Sequence, residues 1–204
     1  FDLPVATSGE VGYLTEVFNN MVARLRTSRS ELERLSVTDP LTGLHNRRRM
    51  TEALENEVRR SRRLKHTFAV LIADVDNFKL YNDAHGHPAG DQALVRVAAV
   101  LRESIRDVDF AARYGGEEFF VMMPELTASA AATLAEALRR RLRGETFSGG
   151  AVTLSIGIAE FPEHGDSGEA VIAAADAALY QAKRAGRDRV AVARAAGAVM
   201  AAGR

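Results

Sequence analysis

The stretch Ala112–Met123, which reads AARYGGEEFFVM, constrains the fold of this chain more than any other. A Gly-Gly pair separates two apolar runs that favour β-structure, and glycine supplies the positive φ that a tight turn needs. The pattern predicts a β-hairpin that presents Glu117 and Glu118 side by side at its turn. Taken alone, the motif fits a solvated hairpin tip at least as well as a carboxylate site, so the other charged positions decide between them.

A second run, Thr67–Ala73 (TFAVLIA), is almost continuously apolar, which is typical of a strand buried on both faces. The run leads into Asp74, and an acidic residue at the end of a central strand is costly to bury unless it is paired or binds a metal. Together with Glu117 and Glu118, Asp74 would form an oxygen-ligand site suited to Mg²⁺, which commonly shares its coordination shell with substrate phosphates.

Residues that would bind a nucleotide accompany this acidic cluster. Lysines are needed to balance phosphate charge, and Lys79 and Lys183 are the candidates. An amide and a carboxylate can read the edge of a guanine, and Asn82 and Asp91 are placed for this role. The sequence therefore predicts a metal-assisted reaction on a nucleoside triphosphate.

Composition excludes several classes of protein. Lys+Arg and Asp+Glu both number 27, so nothing indicates a nucleic-acid binder held by bulk charge. The chain has no cysteine, which excludes disulfides and thiolate metal sites and suits a reducing cytoplasm. No apolar run approaches the roughly 20 residues that cross a bilayer. The sequence starts at Phe1 rather than Met, and we interpret it as a piece of a longer protein.

An N-terminal helix with a heptad stripe is predicted from about residue 10, and Pro40 predicts its end by Asp39. The stripe is narrow and the opposite face is polar, which favours a two-stranded coiled coil and hence a homodimer. Packing of the helix against the chain's own domain is the alternative. The members of the stripe are Leu14, Phe18, Met21, Leu25, Ser28, Leu32 and Leu35.

The rest of the chain alternates helices and strands. Helices are predicted at 47–64, 91–106, 129–143 and 167–185, strands at 67–73, 110–112, 119–123, 152–161 and 189–192, and a glycine-punctuated loop at 85–91. This order predicts an α/β (α+β) fold with an antiparallel-rich central sheet and flanking helices. The predicted domains are the helix at 1–37, the α/β domain at 38–193 and a disordered tail at 194–204.

Five ordered sequence blocks resemble those of GGDEF-family diguanylate cyclases over roughly residues 36–192. They are DPLTGLHNRR (39–48), DVDNFK (74–79), NDAHGHPAGD (82–91), RYGGEEF (113–119), which contains GGEEF, and ALYQAKRAGR (178–187). The resemblance implies a fold similar to the nucleotide cyclase and polymerase palm, with a ferredoxin-like core. It also implies that two subunits, each with one GTP and Mg²⁺, face each other and form cyclic di-GMP and two pyrophosphates.

The resemblance also implies a role for each matching residue. The metal ligands are Asp74, the carbonyl of Val75 and Glu117, and Glu117 is also the base for the 3′-hydroxyl of GTP. The catalytic set implied is Glu117, Glu118, Lys79 and Lys183. The substrate-binding set implied is Asn82, His87 and Asp91 at the guanine and ribose end, Lys79, Lys183 and Arg187 at the phosphates, and Gly116 in the hairpin.

Arg106 and Asp109 match the family's RxxD site for inhibition by the product cyclic di-GMP. A motif this short is by default a structural ion pair, but its fixed place before GGEEF favours the inhibitory interpretation. Relatives also use arginines on the helix after the hairpin to bind product across domains. Here the early part of that helix is rich in alanine and Arg139–Arg141 come late, which weakens the expectation of cross-domain inhibition.

The segments GEVGYL (9–14) and FNNM (18–21) resemble the second half of a HAMP signalling module. This implies an upstream transmembrane sensor, and places the cyclase-like part as the cytoplasmic domain of a bacterial inner-membrane protein. Three functions stay open: an active cyclase, a catalytically silent receptor for GTP or cyclic di-GMP, and a structural signalling adaptor. We favour the active cyclase because all the signature carboxylates and lysines are present.

Overall fold

A computed structural model describes residues 10–35 and 37–194, and within the first helix it describes the side chains of residues 12–26. The chain divides into two compact units, Phe1–Val37 and Thr38–Arg204. The predicted tail lies almost wholly outside the described residues. The elements are α1 (Glu10–Leu35), α2 (Arg47–Leu64), β1 (Phe68–Val75), α3 (Phe78–His85), α4 (His87–Ser104), β2 (Phe110–Arg113), β3 (Glu118–Pro124), α5 (Ala128–Arg143), β4 (Leu154–Phe161), α6 (Gly168–Arg184) and β5 (Val190–Val192).

Helix α1 carries an exposed apolar stripe. Leu14, Phe18, Met21 and Leu25 are between 48% and 69% exposed. The helix ends at Leu35, before the Asp-Pro pair, as predicted. The last three members of the stripe lie outside the described side chains, and the pairing of two such helices stays a prediction. Among the described residues, no helix combines the length and apolarity needed to cross a membrane.

The second unit is built on a five-stranded sheet with strand order β2-β3-β1-β4-β5. Every neighbouring pair is antiparallel except β4 and β5, which confirms the predicted antiparallel-rich sheet. All eight residues of β1 are buried, because helices cover both faces of the sheet. Alternate side chains of β1 enter separate clusters: Ala69, Leu71, Ala73 and Val75 join α4 and α5, and Phe68, Val70 and Ile72 join α2 and α6.

The predicted loop at 85–91 is wrong. Helix α3 ends at His85, Gly86 adopts a φ of 83°, and α4 already begins at His87 and ends at Ser104. Glycine makes this break in one residue because it tolerates positive φ. Pro88 lies in the first turn of α4, where the missing N–H has no helical partner to lose. We had interpreted the glycines and the proline as loop signals, and they are the end of one helix and the start of the next.

Candidate active site

The antiparallel register of β1 and β3 brings the predicted acidic residues together. Asp74 lies opposite Glu118 in the ladder. The backbone N–H of Val75 donates to the carbonyl of Glu117 over 3.1 Å. The end of the buried strand and the hairpin turn are therefore adjacent, as the sequence predicted.

The glycines of the hairpin matter for the space that they leave and not for a left-handed turn. Neither Gly115 nor Gly116 adopts a positive φ. A Cβ on Gly115 would lie 2.2 Å from Oε2 of Glu118, whereas a Cβ on Gly116 would meet nothing within 4 Å. Gly115 therefore makes room for the Glu118 carboxylate, and Gly116 leaves the surface of the turn open to a ligand. The prediction that the turn needs left-handed glycine was wrong.

Three carboxylates at this edge share one ammonium group. Asp74 is only 5% exposed, and its Oδ2 lies 2.8 Å from Nζ of Lys183. Burial raises the pKa of Asp74, and the Lys183 ammonium opposes that rise without cancelling it. Burial, followed by the Asp74 charge, also raises the pKa of Glu117 and of Glu118. The neighbouring cations, Lys183 for all three groups, Arg187 for Asp74 and Arg47 for Glu118, therefore do not offset the cost of burying these carboxylates.

These oxygen donors fit a small, hard cation whose coordination shell is completed by the substrate. Among the residues that the structure describes, no three His, Asp or Glu side chains form a preassembled metal cage. Mg²⁺ does not require one, because it is usually held by one or two carboxylates together with water and substrate phosphates. Asp74, Glu117 and the Val75 carbonyl offer oxygen donors of that kind. A cation here would stabilise the ionised carboxylates against both causes of their raised pKa values, burial first and the neighbouring negative charges second.

The predicted guanine-binding residues lie on α3 and α4, which follow β1. Oδ1 of Asn82 is buried and has no hydrogen-bond partner. Gly90 makes room for this amide, since a Cβ there would lie 1.8 Å from Oδ1. Buried polar atoms are nearly always hydrogen-bonded, so the orphaned oxygen indicates a missing donor. Lys79, His87 and Asp91 are exposed.

The predicted phosphate-binding cations lie at the end of α6 and just beyond it. Lys183 is in the last turn of the helix, and Arg187 follows in a left-handed conformation with a φ of 61°. The Arg187 charge is close enough to lower the pKa of Asp74, although burial of that carboxyl dominates. The structure therefore brings Lys183 and Arg187 towards the acidic edge.

Sequence reasoning missed a network that holds the hairpin. Arg113 lies 3.2 Å from the Asp39 carboxylate and donates to the carbonyl of Gly116 over 2.7 Å. The other Asp39 oxygen accepts from the backbone N–H and hydroxyl of Thr42. Burial opposes ionisation of Asp39, but the hydrogen bonds from Thr42 and the Arg113 charge outweigh it, so the pKa of Asp39 is lowered. The signal was present, since both charges lie inside recognised blocks.

The RxxD pair forms an ion pair within the domain. Arg106 binds Asp109 with a shortest distance of 2.6 Å and also donates to the carbonyl of Pro124. The Asp109 side chain is fully buried, whereas that of Arg106 is 44% exposed. The arginine edge beside this pair therefore stays accessible. A cavity of about 270 Å³ adjoins it, lined in part by His45 and Arg102.

The late arginines of α5 are engaged inside the domain. Arg139 pairs with Asp188 and Glu136, and Arg141 pairs with Glu103. These contacts agree with the reduced expectation that this helix binds product from a second domain.

The sequence is similar to a known protein family and to individual proteins over the residues described above. The sequence matches the model of the family "Diguanylate cyclase, GGDEF domain" over residues 36–189. The diguanylate cyclase DgcP of Pseudomonas aeruginosa is 43% identical over 196 residues, which cover 91% of this chain and 29% of that protein. The response regulator PleD of Caulobacter vibrioides is 40% identical over 172 residues, which cover 81% of this chain and 38% of that protein. This chain therefore spans less than two fifths of the length of either relative.

Solved structures show the same fold. The coiled coil and GGDEF domain of DgcB from Caulobacter crescentus, in complex with c-di-GMP, matches with a TM-score of 0.74 and 35% identity, over 91% of this chain and 100% of that chain. The active GGEEF domain of a diguanylate cyclase from Vibrio cholerae matches with a TM-score of 0.70 and 32% identity, over 73% of this chain and 97% of that chain. The chain described here belongs to the diguanylate cyclase GGDEF-domain family.

Proposed function

We propose that this protein is a diguanylate cyclase that condenses two GTP molecules into cyclic di-GMP and two pyrophosphates. One observation carries the proposal: Asp74, Glu117 and Glu118 meet at one sheet edge and share the single ammonium of Lys183. Such a site is suited to hold a divalent cation and a triphosphate together. The names of the relatives agree with this chemistry.

Glu117 is the proposed general base. Its raised pKa makes it a stronger base than an ordinary carboxylate, and it takes the proton of the 3′-hydroxyl of GTP. The 3′-oxygen then bonds to the α-phosphorus of the other GTP, the α–β phosphoanhydride bond breaks, and pyrophosphate leaves. A second, symmetrical transfer closes the ring. Mg²⁺, held by Asp74, the Val75 carbonyl and Glu117, would neutralise phosphate charge and lower the pKa of the hydroxyl.

The orphaned Asn82 oxygen supports the choice of a guanine base. It is an acceptor without a donor, and a guanine edge presents N–H donors. Asp91 and His87 would complete this end of the site. Lys79, Lys183 and Arg187 would contact the phosphates. The open surface at Gly116 would let the phosphates approach the backbone closely.

Each subunit supplies one GTP, so two sites have to face each other. The exposed stripe of α1 is the proposed dimer seam, because a coiled coil would bury it symmetrically. In the full-length protein the start of this helix would form the second half of a HAMP-like module below a membrane-bound sensor, with the cyclase domain in the cytoplasm. Arg106 and Asp109 would bind product and inhibit turnover, supported by the accessible arginine edge.

The direct test is to remove any bound nucleotide from the purified chain and to measure its turnover of GTP. We expect the chain to form cyclic di-GMP from GTP and Mg²⁺, and Glu117→Gln to lower the rate by at least about 100-fold, the usual contribution of a general base. Glu163→Gln removes an exposed carboxylate elsewhere and should leave the rate unchanged. A dimer that binds GTP but forms no product would overturn the enzyme proposal and indicate a receptor.

A further inference from the structure

The segment that joins α6 to β5 has an unusual backbone. Gly186, Arg187 and Asp188 follow one another at φ values of 113°, 61° and 45°. Residues other than glycine rarely adopt this region, and they remain there only when their surroundings fix them. We call residues 184–189 the α6–β5 turn. It carries Arg187 and directly follows Lys183, and the charges of both residues act on Asp74 at the acidic edge.

Asp76 holds the turn from the side of the sheet. Its Oδ2 accepts from the backbone N–H of Asp188 over 3.0 Å and from the hydroxyl of Thr153 over 2.7 Å. Its Oδ1 accepts from the hydroxyl of Ser155 over 2.6 Å. The Asp76 carboxylate thus accepts hydrogen bonds from a residue of β4, from a residue just before β4 and from the turn. Asp76 differs in this respect from Asp74, which pairs with the ammonium group of Lys183.

Asp188 holds the same turn from the side of α5. One oxygen of its carboxylate lies 2.8 Å from Arg139, and the other lies 2.7 Å from Arg143. The two arginines are one helical turn apart, so both reach the same carboxylate. Asp188 and Arg139 are largely buried, with 18% and 16% of their side chains exposed. Charge-assisted hydrogen bonds of this kind are about twice as strong as neutral ones.

We propose that Asp76 and Asp188 are positioning residues that fix the α6–β5 turn so that Arg187 and Lys183 meet the triphosphate of GTP. The inference rests on the proposed function, in which these two cations contact phosphate. Arg139 and Arg143 take part through Asp188, which makes α5 a support of the phosphate end of the site. The guanine end, on α3 and α4, does not depend on this network.

The network should therefore affect the binding of only one part of the ligand. Releasing Asp188 from α5 should weaken binding of the β- and γ-phosphates and leave recognition of the base unchanged. GMP shares the base, the ribose and the α-phosphate with GTP. The ratio of the Kd for GMP to the Kd for a GTP analogue that cannot react at the α–β bond consequently isolates the phosphate end.

Titration calorimetry with GMP and α,β-methylene GTP, in Mg²⁺, on chain freed of nucleotide, gives this ratio. For Arg139→Gln/Arg143→Gln and for Asp188→Asn, we expect the affinity for the analogue to fall about tenfold, while that for GMP stays unchanged. Arg141→Gln is the matched control, because Arg141 lies on the same helix between the two arginines but faces another side and pairs with Glu103. Arg139→Lys, which keeps the charge, should retain most of the ratio.

The outcomes separate the two proposals. A native chain that binds the analogue no tighter than GMP contradicts the proposed phosphate contacts themselves. A native chain that discriminates, with variants that discriminate equally well, contradicts only the positioning role. Equal losses for GMP and the analogue would also contradict it, because they indicate general disruption of the domain. If the double variant does not fold, Asp188→Asn decides, since its backbone N–H still reaches Asp76.

Discussion

Glu117 is the residue whose ionisation most directly links stability to the site. Burial and the Asp74 charge raise its pKa in the folded state, so the native chain holds this proton more tightly than the unfolded chain. The free energy of unfolding that this group contributes therefore falls as the pH rises from the ordinary carboxyl value of about 4.3. Ionised Glu117 destabilises the domain at neutral pH when no cation is bound.

Glu117→Gln should accordingly raise the Tm at pH 7 without divalent cations, and the difference from the native chain should vanish below about pH 4. Scanning calorimetry at both pH values measures this, with Glu163→Gln as a control for loss of an exposed carboxylate. A Tm gain of the same size at low pH would show that packing, rather than charge, is responsible.

At this scale the sequence predicted much of the acidic site. The apolar run predicted a buried strand ending in Asp74, the Gly-Gly pair predicted a hairpin carrying Glu117, and the pairing of β1 with β3 in the structure brings the two together. The carboxylates that hold loops, such as Asp76, were not predicted. Their partners lie far along the chain, and local patterns carry no information about such contacts. The role of the hairpin glycines was also missed, because it depends on where the Glu118 side chain points.

At the scale of elements, the hairpin depends on the segment that precedes α2. Asp39 binds Arg113, and Arg113 holds the carbonyl of Gly116. Removing a hydrogen-bonded, partly buried carboxylate typically costs about 1–3 kcal/mol. The orientation of the turn should therefore be more sensitive to this contact than the strands on either side of it.

Asp39→Ala should lower the free energy of unfolding by about 1–3 kcal/mol and speed amide exchange most at residues 114–118. Hydrogen exchange read by mass spectrometry measures the local effect. Glu52→Gln is the matched control, because it breaks exposed ion pairs of α2 with Arg48 and Arg49, which contribute at most about 1 kcal/mol. Faster exchange spread evenly over the domain would contradict a specific role in the hairpin.

Helix boundaries were the weakest part of the sequence prediction. The strands and long helices had clear periodicity, whereas α3 has eight residues and buries only Phe78. A helix of about two turns contains too few residues for an apolar period to be recognised in the sequence. Its stability comes from packing against α4, which the sequence alone does not reveal.

At the scale of the whole molecule, the exposed stripe of α1 predicts self-association. Leu14→Glu/Leu25→Glu places charges in the proposed seam and should convert a dimer into a monomer, since both side chains are mostly exposed in a single chain. Specific activity should then fall steeply as the enzyme is diluted, because the proposed mechanism needs two subunits. Sedimentation velocity and rates at several enzyme concentrations measure the two effects.

Glu16→Gln provides the control, because Glu16 lies on the helix face away from the stripe and is exposed. It should leave both the mass and the dilution behaviour unchanged. A charged double variant that stays dimeric would place the dimer contact outside α1. A native chain that is monomeric and fully active would contradict the two-subunit mechanism.

In the ion pair between Lys183 and Asp74, the lysine ammonium serves as the counter-ion of the carboxylate. A divalent cation that takes Asp74 has to exchange with this ammonium, and the exchange sets a positive charge free beside the site. A triphosphate attracts that charge, so each ligand makes binding of the other more favourable by the same amount. Under the proposed function, metal and nucleotide would then be taken up together, and the empty domain would bind either one alone less tightly.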